Sequence, residues 1–380
     1  MKKTLCILLF IGTVCQAQTA LYNSGNLRIH DQGQIGFHTH LINNGSFDDN
    51  LGLAGFYGIS ALSVSGAFMP VLYDLEIATD AVVTLETSVN VLNNTNFIVG
   101  NFNTPRAQPD IYLNFIQNAF SAGEADPSKV DGYVSITDIQ SFSFPVGDAT
   151  QLRRLILNSD NINSLAKCAY FLEDPNNPST FPPFSTDIKP RTIGTISTTE
   201  FWRLEGNVPS TISISWNARS NMAALATDIN QITIMGWNKS AGSWLSLGNE
   251  ALAGDLNSGF VSSTTFIPDD YEIITFGGLA EAEDILTLDN YILTPNGDGI
   301  NDVLLIPELD QSPNNSIQIF DRLGLKVFDM VNYRDEFGGI SNVDNIVIER
   351  QKGLPEGIYY YLISMHDLGL NYQGFLYLER

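Results

Sequence analysis

The chain has 380 residues, only 16% of them charged, and its 42 Asp and Glu against 19 Lys and Arg give a formal net charge of −23. That sign excludes nucleic acid and anionic lipid as partners, because both need a basic patch to displace counterions. Sparse charge with abundant Gly, Asn, Ser and Thr describes strands and turns instead of helical bundles.

Residues 1–17 read as a secretory signal peptide: Lys2 and Lys3 precede the apolar run Leu5 to Val14, and Cys15-Gln16-Ala17 supplies small residues before Gln18. The run is too short to span a bilayer. Lipidation of Cys15 asks for a small residue where Val14 stands. Cleavage removes Cys6 and Cys15, so Cys168 alone remains and no internal disulfide is possible. Stability must then come from packing or bound metal. About 360 residues remain, enough for two or three domains.

Residues 18–135 are expected to form a β-rich N-terminal domain. Short alternations broken by Asn and Gly recur in Gly25-Asn26-Leu27-Arg28-Ile29, Gly33-Gln34-Ile35-Gly36-Phe37, Leu75-Glu76-Ile77, Val83-Thr84-Leu85 and Val89-Asn90-Val91-Leu92-Asn93-Asn94. They resemble irregular rungs of a parallel β-solenoid, with a plain sandwich as the alternative. Asp110 to Ala125 is expected to hold one short helix. His38 and His40, two apart on a strand, share a face and with nearby His30 suggest a transition-metal grip; exposed strand histidines are the other reading.

Residues 136–278 are expected to form a β-sandwich. Phe142-Ser143-Phe144-Pro145-Val146 reads as a strand stopped by proline, and the segments 211–216, 231–235 and 271–276 alternate as strands do. The Pro-rich piece from Asp174 to Pro183 is a loop. Trp237, Trp244 and Tyr271 offer a platform for sugar rings if exposed and core packing if buried, whereas Trp202 and Trp216 belong to the core. From Gly277-Gly278 onward the pattern breaks, and residues 279–285 read as a short acidic linker.

Residues 286–380 form the most informative region. Thr294-Pro295-Asn296-Gly297-Asp298-Gly299-Ile300-Asn301-Asp302 opens it; Ile317 to Phe328, with Arg322-Leu323-Gly324 as a turn, follows; Leu354-Pro355-Glu356-Gly357 introduces Ile358-Tyr359-Tyr360-Tyr361. Both faces of that last strand are apolar, which suits a sandwich interior. Tyr372 to Leu378 is a second aromatic strand, so the end of the sequence should be paired into a sheet. Asn296, Asp298, Asn301 and Asp302 place oxygen ligands in one Gly-punctuated loop, a pattern that suits Ca²⁺ and equally suits local Asx turns.

This order and spacing resemble the gliding-motility-associated C-terminal domain family, the type B sorting domain of the bacterial type IX secretion system. The motif residues carried over are Pro295, Asn296, Gly297, Asp298, Gly299, Asn301, Asp302, Arg322, Gly324, Gly357, Tyr359 and Tyr361. Two positions depart, since the family usually carries Trp at Leu323 and Trp-Asp-Gly at Phe337-Gly338-Gly339. The resemblance implies an Ig-like β-sandwich, passage across the outer membrane, partnership with the type IX translocon and its outer-membrane partner proteins, and a final place on the cell surface or outside it. Thr104-Pro105-Arg106, Val130-Asp131-Gly132-Tyr133-Val134 and the Phe144-Pro145-Val146-Gly147 turn look similar to segments of Bacteroidetes surface proteins with such tails.

The sequence holds no Gly-x-Ser-x-Gly elbow, His-Glu-x-x-His or phosphate-cradling loop with Lys. The expected protein is thus all-β, exported and non-enzymatic, an adhesion, gliding-associated or surface-assembly component that touches surface polysaccharide or an adhesin. The alternative is a secreted carbohydrate-active enzyme with the same tail, using a carboxylate pair that spacing does not single out.

Overall fold

The computed structural model describes residues 19–280, 291–343, 353–366 and 369–380, apart from the side chain of Gln311. The signal-peptide segment 1–17 and residues 281–285 of the expected linker lie outside the described residues. The chain divides into two compact units, one ending at Gly278 and one beginning at Leu279.

The first unit starts with nine strands, β1 (Ala20–Asn23), β2 (Gln34–Phe37), β3 (His40–Asn43), β4 (Leu53–Gly58), β5 (Leu62–Ser65), β6 (Val71–Leu85), β7 (Val89–Asn103), β8 (Leu113–Ile116) and β9 (Phe120–Ala122). Next come β10 (Val130–Asp131), β11 (Tyr133–Thr137), β12 (Ile139–Phe144) and β13 (Val146–Gly147). Among the described residues these strands, β12 apart, stack as three parallel ladders, the signature of a β-solenoid. One ladder runs β1, β3, β5, the end of β6, the end of β7, β10 and β13. A second runs β2, β4, β6, β7 and β9, and a third joins β6, β7, β8 and β11.

Alternation explains why these residues choose this form. Inward positions fall in register, so Leu41, Val64 and Leu85 stack in one row, and Phe37, Phe56, Ile77 and Phe97 in another. The Phe37 and Phe56 rings lie 5.0 Å apart in a stacked arrangement. Asparagines satisfy the backbone at the corners. Asn23 Nδ2 donates to Asn43 Oδ1 at 2.7 Å, and Asn43 Nδ2 donates to the Phe68 carbonyl at 2.9 Å. The solenoid alternative is therefore the one realised. The helix expected in 110–125 is instead the strand pair β8 and β9, because Leu113, Phe115 and Ala119 bury themselves in the rung stack.

The remaining strands of this unit are β14 (Leu155–Asn163), β15 (Ala166–Phe171), β16 (Ile193–Ile196), β17 (Phe201–Glu205), β18 (Ser210–Trp216), β19 (Ile232–Asn238), β20 (Ser243–Gly248), β21 (Ala251–Gly254), β22 (Gly259–Ser262) and β23 (Tyr271–Leu279). A five-stranded sheet, β12-β14-β18-β22-β21, shares its core with the larger sheet that contains β15, β17, β19 and β23. Phe276 on β23 sits edge-on to Trp202 of β17 and Trp216 of β18, with centroids 5.5 and 6.0 Å away.

Two expected boundaries shift. The division at 135/136 falls inside β11, which pairs with β8 of the solenoid on one side and β15 on the other. Gly277 and Gly278 continue β23 instead of breaking it, opposite Thr233 and Ile232. A Cβ on Gly277 would strike the Met235 side chain and one on Gly278 the Leu225 carbonyl, so glycine serves close packing here. Leu279, the first residue of the expected linker, is the last of β23.

The second unit contains β24 (Tyr291–Leu293), β25 (Asn315–Phe320), β26 (Lys326–Val331), β27 (Gly357–Met365) and β28 (Leu370–Leu378), ordered β24-β28-β27-β25-β26. Tyr359, Tyr361, Ile363 and Met365 face a core closed by Leu304, Ile306, Leu309, Tyr333, Phe337 and Leu354 from the connecting segments. On the opposite face Ile358, Tyr360, Leu362, Phe375 and Tyr377 are exposed among the described residues. The expectation that both faces of β27 are covered is thus corrected; apolar character on both sides of a strand reports composition, and burial depends on what packs there.

Candidate functional site

The second unit carries the motif. After β24 the chain turns through Thr294 to Asp302 and ties itself with its own side chains. Asp302 accepts the Gly297 N–H at Oδ1 and the Gly299 N–H at Oδ2, each at 2.7 Å. Asp298 Oδ1 accepts the Ile300 N–H, Asn296 Oδ1 accepts the Asp298 N–H, and Asn296 Nδ2 donates to Asp298 Oδ2. The backbone bonds from Gly297 and Gly299 lower the Asp302 pKa. Gly297 and Gly299 adopt φ of +82° and +85°, and Asn301 adopts +53°, the left-handed conformations these residue types tolerate. Asn296 and Asp298 therefore form Asx-type turns and Asp302 reaches back to clamp the two glycines, whereas Asn301 contributes its backbone carbonyl, which accepts the Thr294 N–H at 2.8 Å.

The β25–β26 hairpin places Arg322 and Leu323 at its tip in solvent, Leu323 being 85% exposed. Gly324 has φ of +81° and donates its N–H to the Asp321 carbonyl. Asp321 shapes this turn, its Oδ1 accepting the N–H groups of Leu323 and Leu325 at 2.9 and 2.8 Å. The sequence reading passed over Asp321, although an Asp at the first position of an Asp-Arg-Leu-Gly turn signals that role.

Gly357 opens β27. Tyr359 turns inward and donates its hydroxyl to the Pro355 carbonyl at 2.8 Å, and burial raises its pKa. Tyr361 lies over Gly374 on β28, its directly paired residue, where a Cβ would collide with the ring. Tyr291 of β24 meets the Tyr361 ring at 5.9 Å. The end of the sequence is held as expected: β28 pairs antiparallel with β27 and parallel with β24.

Tyr333 and Asn315 are further anchors that the motif does not contain. Tyr333 donates its hydroxyl to the Leu304 carbonyl at 2.6 Å, and Asn315 Oδ1 accepts the Tyr333 N–H at 2.8 Å. Nothing in their local spacing announces this pairing, because the partners are brought together only by the sheet.

The other sequence candidates are scattered. The chain turns between His38 and His40, so they do not share a strand face; His38 packs 5.8 Å from the Tyr57 ring and His40 Nδ1 lies 3.0 Å from Ser63 Oγ. No group of three His, Cys, Asp or Glu side chains suited to a metal occurs among the described residues. Trp244 is buried beneath Trp237, and Tyr271 packs against Phe266, so the proposed sugar platform is core.

Several ionisable groups of the first unit are bonded to one another in its interior. Arg153 Nη2 meets Glu200 Oε1 at 2.7 Å, both side chains almost wholly buried, and the Tyr170 hydroxyl donates to Glu200 Oε2 at 2.7 Å. Arg219 Nη2 donates to Asp148 Oδ2 at 2.6 Å. Burial alone would raise the Asp148 carboxyl, but hydrogen bonds from Arg219 and Thr150 outweigh it and hold the pKa down at about 2. Lys129 is buried, which lowers its pKa, and donates to the Asp126 carbonyl.

The second unit is thus a small all-β module whose loops are locked by Asx turns and whose final strand is built into its sheet. Residues 286–378 match the CHU_C family, the type IX secretion signal domain. No curated protein and no solved structure matched the chain. A signal of this class implies export to the cell surface or the extracellular space and contact with the type IX secretion machinery.

Proposed function

We propose that this is a non-enzymatic cell-surface or secreted protein: residues 1–17 direct it across the inner membrane, residues 286–380 engage the type IX translocon and its outer-membrane partners, and the first unit serves adhesion, gliding or surface assembly. The observation that carries the reading is the sorting-domain match over a module whose terminal strand is fully paired. Support also comes from the interior ion pairs. Arg153, Glu200, Tyr170, Arg219 and Asp148 bond to one another in the interior, the structural role of buried paired charges.

The test is intact-mass spectrometry of protein recovered from culture medium and from washed cells, comparing the full chain with one lacking residues 286–380. The reading expects mature protein outside the cell or on its surface, and periplasmic retention of the truncated chain. External protein in both cases would overturn it.

A second reading, a carbohydrate-active enzyme, is favoured by one observation: a groove in the first unit gathers Asp31, Asp74 and Glu76. Release of new reducing ends from a soluble glycan would establish it.

A further inference from the structure

A groove of about 530 Å³ runs over the outer face of the second solenoid ladder. Its floor follows from strand alternation. On β6, Leu75 and Ile77 point into the core, which turns Asp74 and Glu76 outward on the same face. Parallel register aligns Leu53, Asp74, Asn94 and Phe120 across β4, β6, β7 and β9, with Glu76 beside Asn96 in the next row.

The polar groups are pre-aimed. Asn93 Nδ2 donates to Asp74 Oδ1 at 2.7 Å, and Glu76 accepts from Asn96 Nδ2 at 2.7 Å and from the Tyr57 hydroxyl at 2.8 Å. Tyr57 reaches Glu76 because its ring lies down over Gly55, where any Cβ would collide with it, and close to Gly36, where a Cβ would make a tight contact. Tyr73 and the 49%-exposed Phe120 add aromatic surface to the walls.

We propose that this groove binds a neutral polysaccharide. Carboxylates and amides fixed by one another accept and donate to sugar hydroxyls, and rings cover the apolar faces of pyranoses. Neighbouring rungs repeat at about 4.8 Å, close to the length one pyranose adds to an extended glycan. The groove offers successive rungs to successive sugars. Among the described residues no Lys, Arg or His lines it, and its three carboxylates repel uronate and sulfate groups, so anionic glycans are excluded. The inference rests on the reading of the first unit as a binding module, and its test is independent of export.

The test is affinity electrophoresis of the full mature chain in native gels containing mixed-linkage β-glucan, xyloglucan, alginate or polygalacturonate. The neutral glycans are expected to retard it and the anionic ones to leave it unshifted. Phe120→Ala should weaken the retardation about tenfold, equivalent to roughly 1.4 kcal/mol, while Phe68→Ala, at an exposed residue outside the groove, should leave it unchanged. Absence of retardation by both neutral glycans, preference for the anionic ones, or equal retardation of the Phe120→Ala protein would each overturn the proposal. Cleavage of the bound glycan with loss of both binding and turnover in Phe120→Ala would support the groove and overturn the non-enzymatic reading instead.

Discussion

Arg380 reaches back to Leu354: its Nε–H donates to the Leu354 carbonyl at 3.0 Å, and its Nη2 donates to the Gly339 carbonyl at 2.9 Å. The guanidinium occupies space over Gly339 and Gly353, both at positive φ, where a side chain would displace it. One cation thus pins two connecting segments against the last strand. Arg380→Ala should lower the stability of the second unit by about 2–3 kcal/mol, the worth of hydrogen bonds from a charged donor. Thermal melts of the purified chain, following the unit's own transition, would show the shift; an unchanged transition would remove the pinning role.

Tyr360 and Tyr361 are neighbours on β27 with opposite fates, one 52% exposed and the other buried over Gly374. Tyr361→Ala should cost about 3–5 kcal/mol, as large core truncations do, and Tyr360→Ala no more than about 0.5–1 kcal/mol. Denaturant unfolding of the two variants distinguishes them. Comparable losses would mean that the outer face is covered after all.

Glu200 balances Arg153 in the interior of the first unit, where Tyr170 also donates to Glu200 and Arg153 also donates to Ser220. Glu200→Ala leaves a buried guanidinium without its partner and should destabilise the unit by about 3–5 kcal/mol. Equilibrium unfolding measures this directly. A loss under about 1 kcal/mol would show that water reaches Arg153 freely.

Asp148 sets the acid limb. Its folded pKa of about 2 lies below its ordinary 3.8, so as pH falls the unfolded state takes up the proton first. The stabilisation, about 2 kcal/mol, is complete above pH 4 and fades between pH 4 and 2. Asp148→Asn should lower neutral-pH stability by that amount and flatten the limb.

The alkaline limb has the opposite sign. Burial, aided for Tyr57 by Glu76, pushes Tyr57 and Tyr133 from 10.0 to about 12. Stability is intact below pH 10, where both states hold the phenol proton, and falls from pH 10 towards 12 as the unfolded chain alone releases it. Ultraviolet titration of tyrosinate, run beside circular dichroism, should find late-titrating tyrosines whose ionisation coincides with unfolding. Ionisation of every tyrosine near pH 10 in the folded chain would contradict this.

The sequence by itself determined the β class, the sorting module and its paired final strand, because alternation, turn chemistry and motif order are local properties that survive in one dimension. Asp302 and Gly324 were legible for the same reason: their partners lie within five residues. Only the tertiary structure decided between solenoid and sandwich, since both satisfy the same alternation and the choice lies in which rungs pair in parallel. It also decided which face of β27 is covered, and it brought Asp74, Glu76, Asn96 and Phe120 onto one groove. Those residues come from three strands, Asp74 and Glu76 from β6, Asn96 from β7 and Phe120 from β9, so their convergence is a matter of register across strands.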